Sequence, residues 1–240
     1  MRNFLVTGGS QGIGKATVEI LAEQGNQITF TYMTRETESV LICDKLRDRG
    51  LKVNCFQLNL LDKSTITGKL HSAMERFGAF DGIVHNAGKA ADDPFYFLDE
   101  KKFWDPIDTS LNSFFYINKA CLGHMIGQRW GRIVTLASIA GESGNRGQTN
   151  YAAAKGAVIS ATKSLARELA GKGILCNSVS PGIIETGMTQ NLPKDEILRL
   201  IPVGRYGKPE EVAHVIKFLL SDEASYINGE VIRVNGGFYT

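Results

Sequence analysis

The chain has 240 residues, of which 43% are hydrophobic and 22% charged, and 27 basic residues against 25 acidic ones give a formal net charge of +2. This composition excludes a disordered or fibrous chain, and the near-neutral charge gives no support to a nucleic-acid or membrane partner. The length predicts one domain, 1–240, rather than two.

The cysteines and the N-terminus exclude several further classes. The cysteines are Cys43, Cys55, Cys121 and Cys176, and they form no C-x-x-C pair. This spacing predicts neither a disulfide framework nor a zinc site, and the histidines share no ligand spacing, so we predict no metal. The first apolar stretch covers only 4–6, and no run of 18 apolar residues occurs. We therefore expect no signal peptide, no membrane span and a cytoplasmic location.

Short strand-like runs alternate with longer helix-like segments along the whole chain. The predicted strands are 3–7, 27–32, 52–58, 82–85, 132–137, 175–180 and 230–234, and the predicted helices are 12–24, 36–49, 63–77, 151–169 and one starting at Pro209. This alternation predicts an α/β protein with a parallel sheet, and apolar strands such as 133–136 indicate helices on both faces. The irregular segment 187–207 is predicted to be a substrate lid.

A glycine-rich turn follows the first predicted strand and opens the first predicted helix. It reads Thr7, Gly8, Gly9, Ser10, Gln11, Gly12, Ile13 and Gly14. Glycines let the backbone turn sharply and approach a pyrophosphate, whose charge the free N–H groups of the helix N-terminus then meet. The spacing G-x-x-x-G-x-G differs from the common G-x-G-x-x-G pattern, and a plain tight turn is the alternative interpretation.

The end of the second predicted strand indicates which cofactor is preferred. Enzymes that prefer NAD place an acid there to bind the ribose hydroxyls. This chain has no acid before Glu36, whereas Thr34 and Arg35 could receive a 2′-phosphate. The sequence therefore predicts NADP(H), with Arg35 as an ordinary solvated residue at a helix start as the alternative.

Three polar residues at and after the fifth predicted strand form a candidate catalytic group. Ser138 follows the strand, and Tyr151 and Lys155 lie about one turn apart on the next predicted helix. A cation beside a phenol lowers the pKa of the phenol toward neutrality, and a serine hydroxyl can donate to a carbonyl oxygen as charge develops there. Taken alone, the tyrosine and lysine are better explained as a pair on a helix surface.

Five motifs occur in order, each at a strand end or a helix start. They are Thr7–Gly14, His85-Asn86-Ala87-Gly88, Ser138, Tyr151-Ala152-Ala153-Ala154-Lys155 and Ser180-Pro181-Gly182. In this combination the chain resembles the classical short-chain dehydrogenase/reductase family over almost its whole length. The resemblance implies a Rossmann-type, doubly wound sheet of seven mainly parallel strands with helices on both faces.

The resemblance also implies how the site is divided between cofactor and substrate. The predicted cofactor-binding residues are Gly8, Ser10, Gln11, Gly12, Ile13, Gly14, Thr34, Arg35, Asn59, Leu60, Asn86, Ala87, Gly88, Tyr151, Lys155, Pro181, Gly182, Ile184 and Thr186. Asn59 and Leu60 are implied to flank the adenine, and the residues from Pro181 onward to hold the nicotinamide carboxamide. Ser138 is implied to bind the substrate carbonyl. Tyr151 is implied to supply the proton, and Lys155 to bind the ribose and to lower the pKa of Tyr151.

One position departs from the family pattern. The family's catalytic asparagine occurs in a segment of the form Asp/Glu-Thr-Asn-Leu, whereas this chain has Ser110 at the asparagine position. Ser110 is therefore the candidate fourth catalytic residue, and we expect its carbonyl and hydroxyl to hold the water that the asparagine holds in the family. Asn112 lies about 200° further around a helix and cannot replace it.

Three further segments resemble the 3-oxoacyl-acyl-carrier-protein reductases within that family. They are Gly147–Tyr151, Pro202–Arg205 and Gly229–Gly237. They imply NADPH-dependent reduction of a 3-oxoacyl thioester to the 3-hydroxyacyl thioester, in fatty-acid, polyketide or polyene synthesis, by a homotetramer whose partner is an acyl carrier protein. The alternatives are a reductase of another ketone or secondary alcohol, and a non-catalytic NADP-binding sensor, which only Ser110 favours.

Two surface features are predicted to bind protein partners. An acyl carrier protein is acidic, so Arg129, Arg132 and Lys172 are the candidate docking residues near the site mouth, with ordinary solvated charges as the alternative. Aromatic residues cluster at 95–97, 103–104 and 114–116. We expect them to pack a helix that forms a subunit interface, and a substrate-facing role for Phe95 or Tyr96 is the alternative.

Overall fold

A computed structural model describes residues 1–187, 189–190 and 193–240, and its strands form one sheet. The strands are β1 (Asn3–Val6), β2 (Gln27–Tyr32), β3 (Val53–Gln57), β4 (Gly82–His85), β5 (Gly131–Leu136), β6 (Ile174–Pro181) and β7 (Val231–Val234). Their order is β3-β2-β1-β4-β5-β6-β7, and every neighbouring pair is parallel. The predicted doubly wound sheet is confirmed, and each strand end lies within one residue of its predicted position.

Helices connect these strands. In the described residues they are α1 (Gly12–Glu23), α2 (Glu36–Arg47), α3 (Lys63–Phe77), α4 (Glu100–Asn112), α5 (Asn118–Gln128), α6 (Ile139–Ser143), α7 (Thr149–Leu169), α8 (Lys194–Leu198) and α9 (Pro209–Leu219). The bounds predicted for α1, α2, α3 and α7 are confirmed within two residues, whereas the sequence predicts no bounds for α4 and α5. Among the described helices, none combines the length and the hydropathy that crossing a bilayer requires.

Helices cover both faces of the sheet because the strand side chains alternate between them. Phe4 and Val6 of β1 belong to one buried apolar cluster, which they share with side chains of α1, α2 and α9. Leu5, between them, belongs to a second cluster, which contains side chains of α3, α5 and α7. Both faces are therefore closed to solvent, and the loops at the carboxyl edge of the sheet are left to form a site.

A proline in α4 fixes the start of α7. Pro106 has no N–H and cannot bond to the carbonyl of Lys102, four residues earlier. That carbonyl instead accepts a hydrogen bond from Asn150 Nδ2, at 2.7 Å. The proline thus frees an acceptor that joins α4 to the first turn of α7, where the candidate tyrosine lies.

The helix that begins with α4 contains a short stretch of π-helix before it continues as α5. This stretch, Ser113–Ile117, is called the π-turn below. It follows α4 and precedes α5 without a break, so the whole helix runs from 100 to 128. A π-turn inside a longer helix often marks a functional site.

The segment predicted to be a lid, 187–207, is described except for 188, 191 and 192, which lie outside the described residues. It contains α8. Its last part is held by the backbone, since Val203 N donates to Gly236 O at 3.2 Å and Gly207 N donates to Ile183 O at 2.9 Å. A lid function for this segment stays a prediction.

Candidate active site

The predicted motifs meet at the carboxyl edge of the sheet. Gly8 follows β1, Asn86 follows β4, Ser138 follows β5 and Gly182 follows β6. β1 and β4 are neighbours, but the chain leaves β1 toward β2 on one side and leaves β4 toward β5 on the other. In open α/β sheets, ligands bind in the crevice at such a switch point.

The glycine-rich turn is shaped to accept a phosphate group. Gly8 and Gly12 have φ values of +68° and +53°, in the left-handed region that favours glycine. A Cβ on Gly14 would overlap the carbonyl oxygen of Gly8 and lie 2.5 Å from Asn86 Nδ2. No described side chain caps the N-terminus of α1, so its first N–H groups are left for a ligand. The turn fits a pyrophosphate, and the individual cofactor contacts predicted for it stay predictions.

Asn86 holds this turn from behind. Its Nδ2 donates to the carbonyl oxygens of Thr7 and Gly8, at 2.9 and 3.0 Å. Thr7 Oγ1 in turn accepts from the backbone N–H groups of Asn86 and Ala87, at 3.0 and 2.9 Å. Because both amide hydrogens of Asn86 are used in this way, its side chain fixes the shape of the turn. Its predicted role in cofactor binding stays a prediction.

The end of β2 has both a positively charged and a negatively charged side chain nearby, Arg35 and Glu36. Arg35 forms an ion pair with Glu38 at 3.4 Å, and both side chains are about half exposed. The Tyr32 hydroxyl donates to Glu36 Oε1 at 3.2 Å, which brings a carboxylate back to the strand end. NAD-preferring enzymes have an acid at the end of this strand, and Glu36 lies too far beyond the strand to be recognised from the sequence as such an acid. The predicted contacts of Thr34 and Arg35 with a 2′-phosphate stay predictions.

Asn112 supports the predicted adenine loop from the protein interior. Its Nδ2 donates to the carbonyl oxygen of Leu60 at 2.8 Å, and Asn59 Oδ1 accepts from the next residue but one, Leu61, at 3.0 Å. Asn112 therefore does not replace the family's asparagine at position 110, in agreement with the prediction. Ser110 is buried, and its carbonyl oxygen accepts from the N–H of Ser113. The water that Ser110 is expected to hold stays a prediction.

The structure brings Ser138, Tyr151 and Lys155 together. Ser138 Oγ caps α6 by accepting from Ala140 N at 3.2 Å. Lys155 Nζ donates to the carbonyl oxygen of Leu136 at 2.7 Å and lies 5.6 Å from the centre of the Tyr151 ring. The Ser138 hydroxyl is also a hydrogen-bond partner of the Tyr151 phenol. The catalytic roles of the three residues stay predictions.

Burial sets the proton affinity of the two titrating groups. It raises the pKa of Tyr151, and the hydrogen bond from Ser138 opposes this rise while the charge of Asp92 adds to it. It lowers the pKa of Lys155 to about 8. The expected lowering of the pKa of Tyr151 is therefore wrong, because desolvation of the phenol dominates. At neutral pH Tyr151 is a neutral phenol with a proton to donate.

The loop after β6 closes the other side of the site. Gly182 N donates to Val234 O at 3.0 Å, and a Cβ on Gly182 would lie only 2.8 Å from Asn235 Cα. Between this loop and α1 lies a cavity of about 510 Å³, to whose lining α1 contributes Gly12 and Lys15 and the loop contributes Glu185 and Thr186. The cavity borders the phosphate turn at Gly12, and of the predicted nicotinamide residues Thr186 lines it. The nicotinamide contacts of Pro181, Gly182, Ile184 and Thr186 stay predictions.

Asn150 is a site residue that has no counterpart among the predicted ones. It is fully buried, and its Nδ2 donates to Ala91 O at 2.9 Å as well as to Lys102 O. Its Oδ1 accepts from Tyr151 N at 2.8 Å. Asn150 therefore fixes the backbone of the candidate acid against two other elements. Its sequence signals are that it directly precedes Tyr151 and that it lies in the Gly147–Tyr151 segment, which carries the resemblance to the reductases.

The predicted docking residues lie at the opposite, amino edge of the sheet. Arg129 and Arg132 stand at the start of β5 and Lys172 just before β6, whereas Ser138 follows the far end of β5. A strand of six residues is about 20 Å long, so the expected place near the chain's own site mouth is wrong. Arg132 is only 4% exposed and donates to Gly131 O at 2.9 Å. Arg132 is therefore wrong as a docking residue, while Arg129 and Lys172 are exposed.

Large aromatic side chains are exposed along the 100–128 helix and just before it. Tyr96 is 90% exposed, Phe95 and Phe97 about two thirds, and Trp104 and Phe115 half or more. Phe95 contacts Phe103 edge to face, with ring centres 6.4 Å apart. Within one chain these residues are left largely uncovered, and their role in a subunit interface stays a prediction.

Comparison with known proteins gives one consistent group. A family model described as enoyl-(acyl carrier protein) reductase matches residues 8–239. The chain is 43% identical over 238 residues to the 3-oxoacyl-acyl-carrier-protein reductases FabG of Vibrio cholerae and Escherichia coli, covering 98% of this chain and 96% of each relative. It is 37% identical over 241 residues to the same-named protein of Staphylococcus aureus, covering 99% of this chain and 98% of that one.

Proposed function

The chain belongs to the short-chain dehydrogenase/reductase family, and we propose that it is an NADPH-dependent reductase of 3-oxoacyl thioesters on acyl carrier protein. The product is the 3-hydroxyacyl thioester, and the setting is fatty-acid biosynthesis, as the names of the relatives indicate. The observation that carries the proposal is the meeting of Ser138, Tyr151 and Lys155 beside a turn that fits a pyrophosphate.

The residues divide the reaction between them. The Ser138 hydroxyl donates to the 3-oxo oxygen, and the neutral Tyr151 phenol gives that oxygen its proton. Lys155 holds the nicotinamide ribose through its remaining N–H groups and supports the charge left on the phenol. A bound nicotinamide supplies the hydride that completes the conversion of the carbonyl to a secondary alcohol. Buried Leu136 fixes Lys155 through its carbonyl oxygen, so the ammonium is held in place.

The choice of NADPH over NADH rests on Arg35. Its charge favours a 2′-phosphate, while the carboxylate of Glu36 at Tyr32 opposes one, so the two effects compete at one strand end. We expect a higher kcat/KM with NADPH than with NADH, and Arg35→Ala should remove most of that preference. Arg49→Ala is the control, because Arg49 is similarly exposed and similarly paired, to Glu23. If Arg35→Ala keeps the NADPH preference of wild type, then other residues determine the choice of cofactor.

Reduction of a carbon–carbon double bond is the second candidate, because the matching family model is described as an enoyl reductase. Two hydroxyl groups that meet at one point suit a carbonyl oxygen, which accepts two hydrogen bonds. The deciding experiment measures NADPH oxidation with a 3-oxoacyl carrier thioester, the matched 2-enoyl thioester and a free ketone. We expect turnover with the 3-oxoacyl thioester. Turnover with the enoyl thioester or the ketone alone selects another reductase, and NADPH binding without any turnover selects the sensor.

We propose that the chain forms a homotetramer and that one of its interfaces uses the 100–128 helix. A two-fold axis perpendicular to this helix would pair it with an antiparallel copy. Arg129, just past the end of the helix in one subunit, would then stand near the start of the helix in the other, where Phe95–Phe97 lie. Docking of an acidic carrier protein at Arg129 and Lys172 would in this way serve the site of the neighbouring subunit.

Charge reversal tests the docking proposal. Arg129→Glu with Lys172→Glu should raise the KM for a carrier-bound substrate and weaken its salt dependence, while a small thioester analogue reacts as before. The control is Lys45→Glu with Lys52→Glu, which changes net charge equally at two exposed positions, in α2 and just before the outermost strand β3. Equal effects of the test pair on both substrates contradict docking there.

A further inference from the structure

His85 ends β4 in a buried polar contact that none of the functions above uses. Its side chain is 4% exposed, and it lies between the strand end and the π-turn. Nδ1 is 3.0 Å from Ser113 Oγ, and Nε2 is 3.1 Å from Asn118 Oδ1. Both partners are also buried, at 1% and 4% exposure. A ring held at both nitrogens inside the protein has one orientation.

The partners determine the form of the ring. Asn118 Oδ1 can only accept a hydrogen bond, so Nε2 has the hydrogen and donates it. Nδ1 then accepts from the Ser113 hydroxyl. Burial lowers the pKa of His85 to about 4; the Asn118 bond opposes this shift, and the charge of Lys155 adds to it. The ring is therefore neutral at physiological pH and has a single tautomer.

The π-turn is what allows one ring to reach both partners. Ser113 is its first residue and Asn118 the residue directly after it, five positions apart. In an α-helix, residues five apart differ by about 140° around the axis and face different sides. Hydrogen bonds of the i to i+5 kind wind the chain so that such residues come to one side. The contact with His85 therefore favours the π-helical winding over the regular one.

The residues next to the π-turn and the residues next to His85 belong to different parts of the site. On the helix side, Ser110 precedes the π-turn and Asn112 holds the carbonyl of Leu60 in the predicted adenine loop. On the strand side, Asn86 follows His85 and fixes the phosphate turn. Two residues further on, a Cβ on Gly88 would lie 3.3 Å from Lys155 Nζ.

We propose that His85 is a positioning residue for the reductase reaction: its neutral imidazole holds the π-turn to the end of β4 and so sets Ser110 and Lys155 in register with the phosphate turn. The proposal rests on the proposed function for its kinetic consequence. Its structural content, a single tautomer and a protected π-turn, does not depend on turnover.

The kinetic test compares two replacements of the ring with a matched buried control. His85→Phe keeps a ring and removes both bonds, so kcat should fall by about tenfold or more while the KM for the 3-oxoacyl substrate stays within about threefold. His85→Gln keeps one donor and one acceptor and should recover most of kcat. Thr162→Val breaks a hydrogen bond between Thr162 and Thr135, which is equally buried and lies beside His85 in the sheet but has no partner in the π-turn. It should lower Tm about as much as His85→Phe and leave kcat unchanged.

A second measurement, on the protein without substrate, reads the contact directly. Nitrogen-15 NMR should give the neutral Nε2–H tautomer for His85, and His85→Phe should speed hydrogen exchange of the 113–118 amides far more than Thr162→Val does. An Nδ1–H tautomer, unchanged exchange, or a kcat within about twofold of wild type in His85→Phe each overturn the proposal. If wild type reduces no 3-oxoacyl thioester, the proposed function fails, while the tautomer and the exchange rates still decide on His85.

Discussion

At the scale of single residues, the site favours proton donation by its tyrosine. Tyr151 is desolvated more than it is stabilised as phenolate, so its pKa rises and it stays protonated. Lys155 is desolvated too, and its pKa of about 8 places its charge within reach of an ordinary change in pH. A general acid has to be protonated before the reaction, and reduction of a ketone needs that acid.

Replacement of the phenol tests this role. Tyr151→Phe removes one oxygen and leaves the ring, so we expect reduction to be lost and NADPH affinity to stay close to wild type. The measurements are NADPH oxidation under steady-state conditions and fluorescence titration of NADPH. Measurable turnover in Tyr151→Phe would falsify the assignment of Tyr151 as the proton donor.

The charge of Lys155 predicts how cofactor binding depends on pH. Its pKa is lowered to about 8, so the ammonium loses its proton as the pH rises through that value, well below the ordinary range for lysine. We expect the Kd for NADPH to rise between about pH 7 and pH 9.5, because a neutral amine binds the ribose less strongly. Lys155→Met should bind weakly at both pH values. A wild-type Kd that is the same at both ends contradicts the role of this charge.

Ser110 is expected to serve in place of the family's asparagine. Its carbonyl oxygen is present whatever the side chain, and the hydroxyl leaves room for an additional water. Ser110→Asn should therefore change kcat by less than about tenfold, or roughly 1.4 kcal/mol in barrier. A gain of several orders of magnitude would mean instead that wild type has a disabled site and that the sensor alternative is correct.

At the scale of elements, the glycine-rich turn has no room for a side chain at Gly14, the last glycine of its G-x-x-x-G-x-G pattern. Gly14→Ala forces a methyl group into the carbonyl of Gly8 and against Asn86, so we expect NADPH affinity to fall by about 100-fold or more. Gly68→Ala in α3 is the matched control, because nothing lies within 4 Å of the added carbon. It should raise stability by about 0.5–1 kcal/mol and leave NADPH binding unchanged. If the Kd of Gly14→Ala for NADPH is within about threefold of wild type, the glycine-rich turn does not bind the cofactor as proposed.

The elements themselves were largely predictable because their signals are local. Apolar runs fixed the strands to within one residue, and the turn glycines fixed the start of α1. The π-turn was not predictable, since its winding depends on a ring from β4, nearly thirty residues earlier in the chain. The hydrogen bond of Asn150 to the carbonyl that Pro106 frees, that of Lys102, is also remote, because it joins residues 48 apart in the sequence. Arg132 is buried against Gly173 and Asp222, which follow it by 41 and 90 residues, so its burial is not predictable from the sequence for the same reason.

At the scale of the whole molecule, the exposed aromatic residues predict assembly. Trp104→Glu with Phe115→Glu places charges on the 100–128 helix, where a subunit interface would have to desolvate them. We expect sedimentation to show a tetramer for wild type and a smaller species for this double variant. Tyr226→Glu is the control, since Tyr226 is fully exposed elsewhere and should not affect assembly. If the double variant sediments as an assembly of the same size as wild type, the subunit interface lies on another surface.

The last strand of the sheet also bears on how the protein is made. β7 pairs with the end of β6, and the residues around it hold Gly182 and Val203 in the loop that closes the site. Translation delivers β7 after the other six strands of the sheet, so a ribosome that stalls before it leaves β6 as a bare sheet edge. Such a nascent chain has no finished cofactor site, and a cofactor stabilises only the folded state that binds it. The interval between the synthesis of β6 and that of β7 therefore favours edge-to-edge aggregation, and chaperones that cover such an edge would act there.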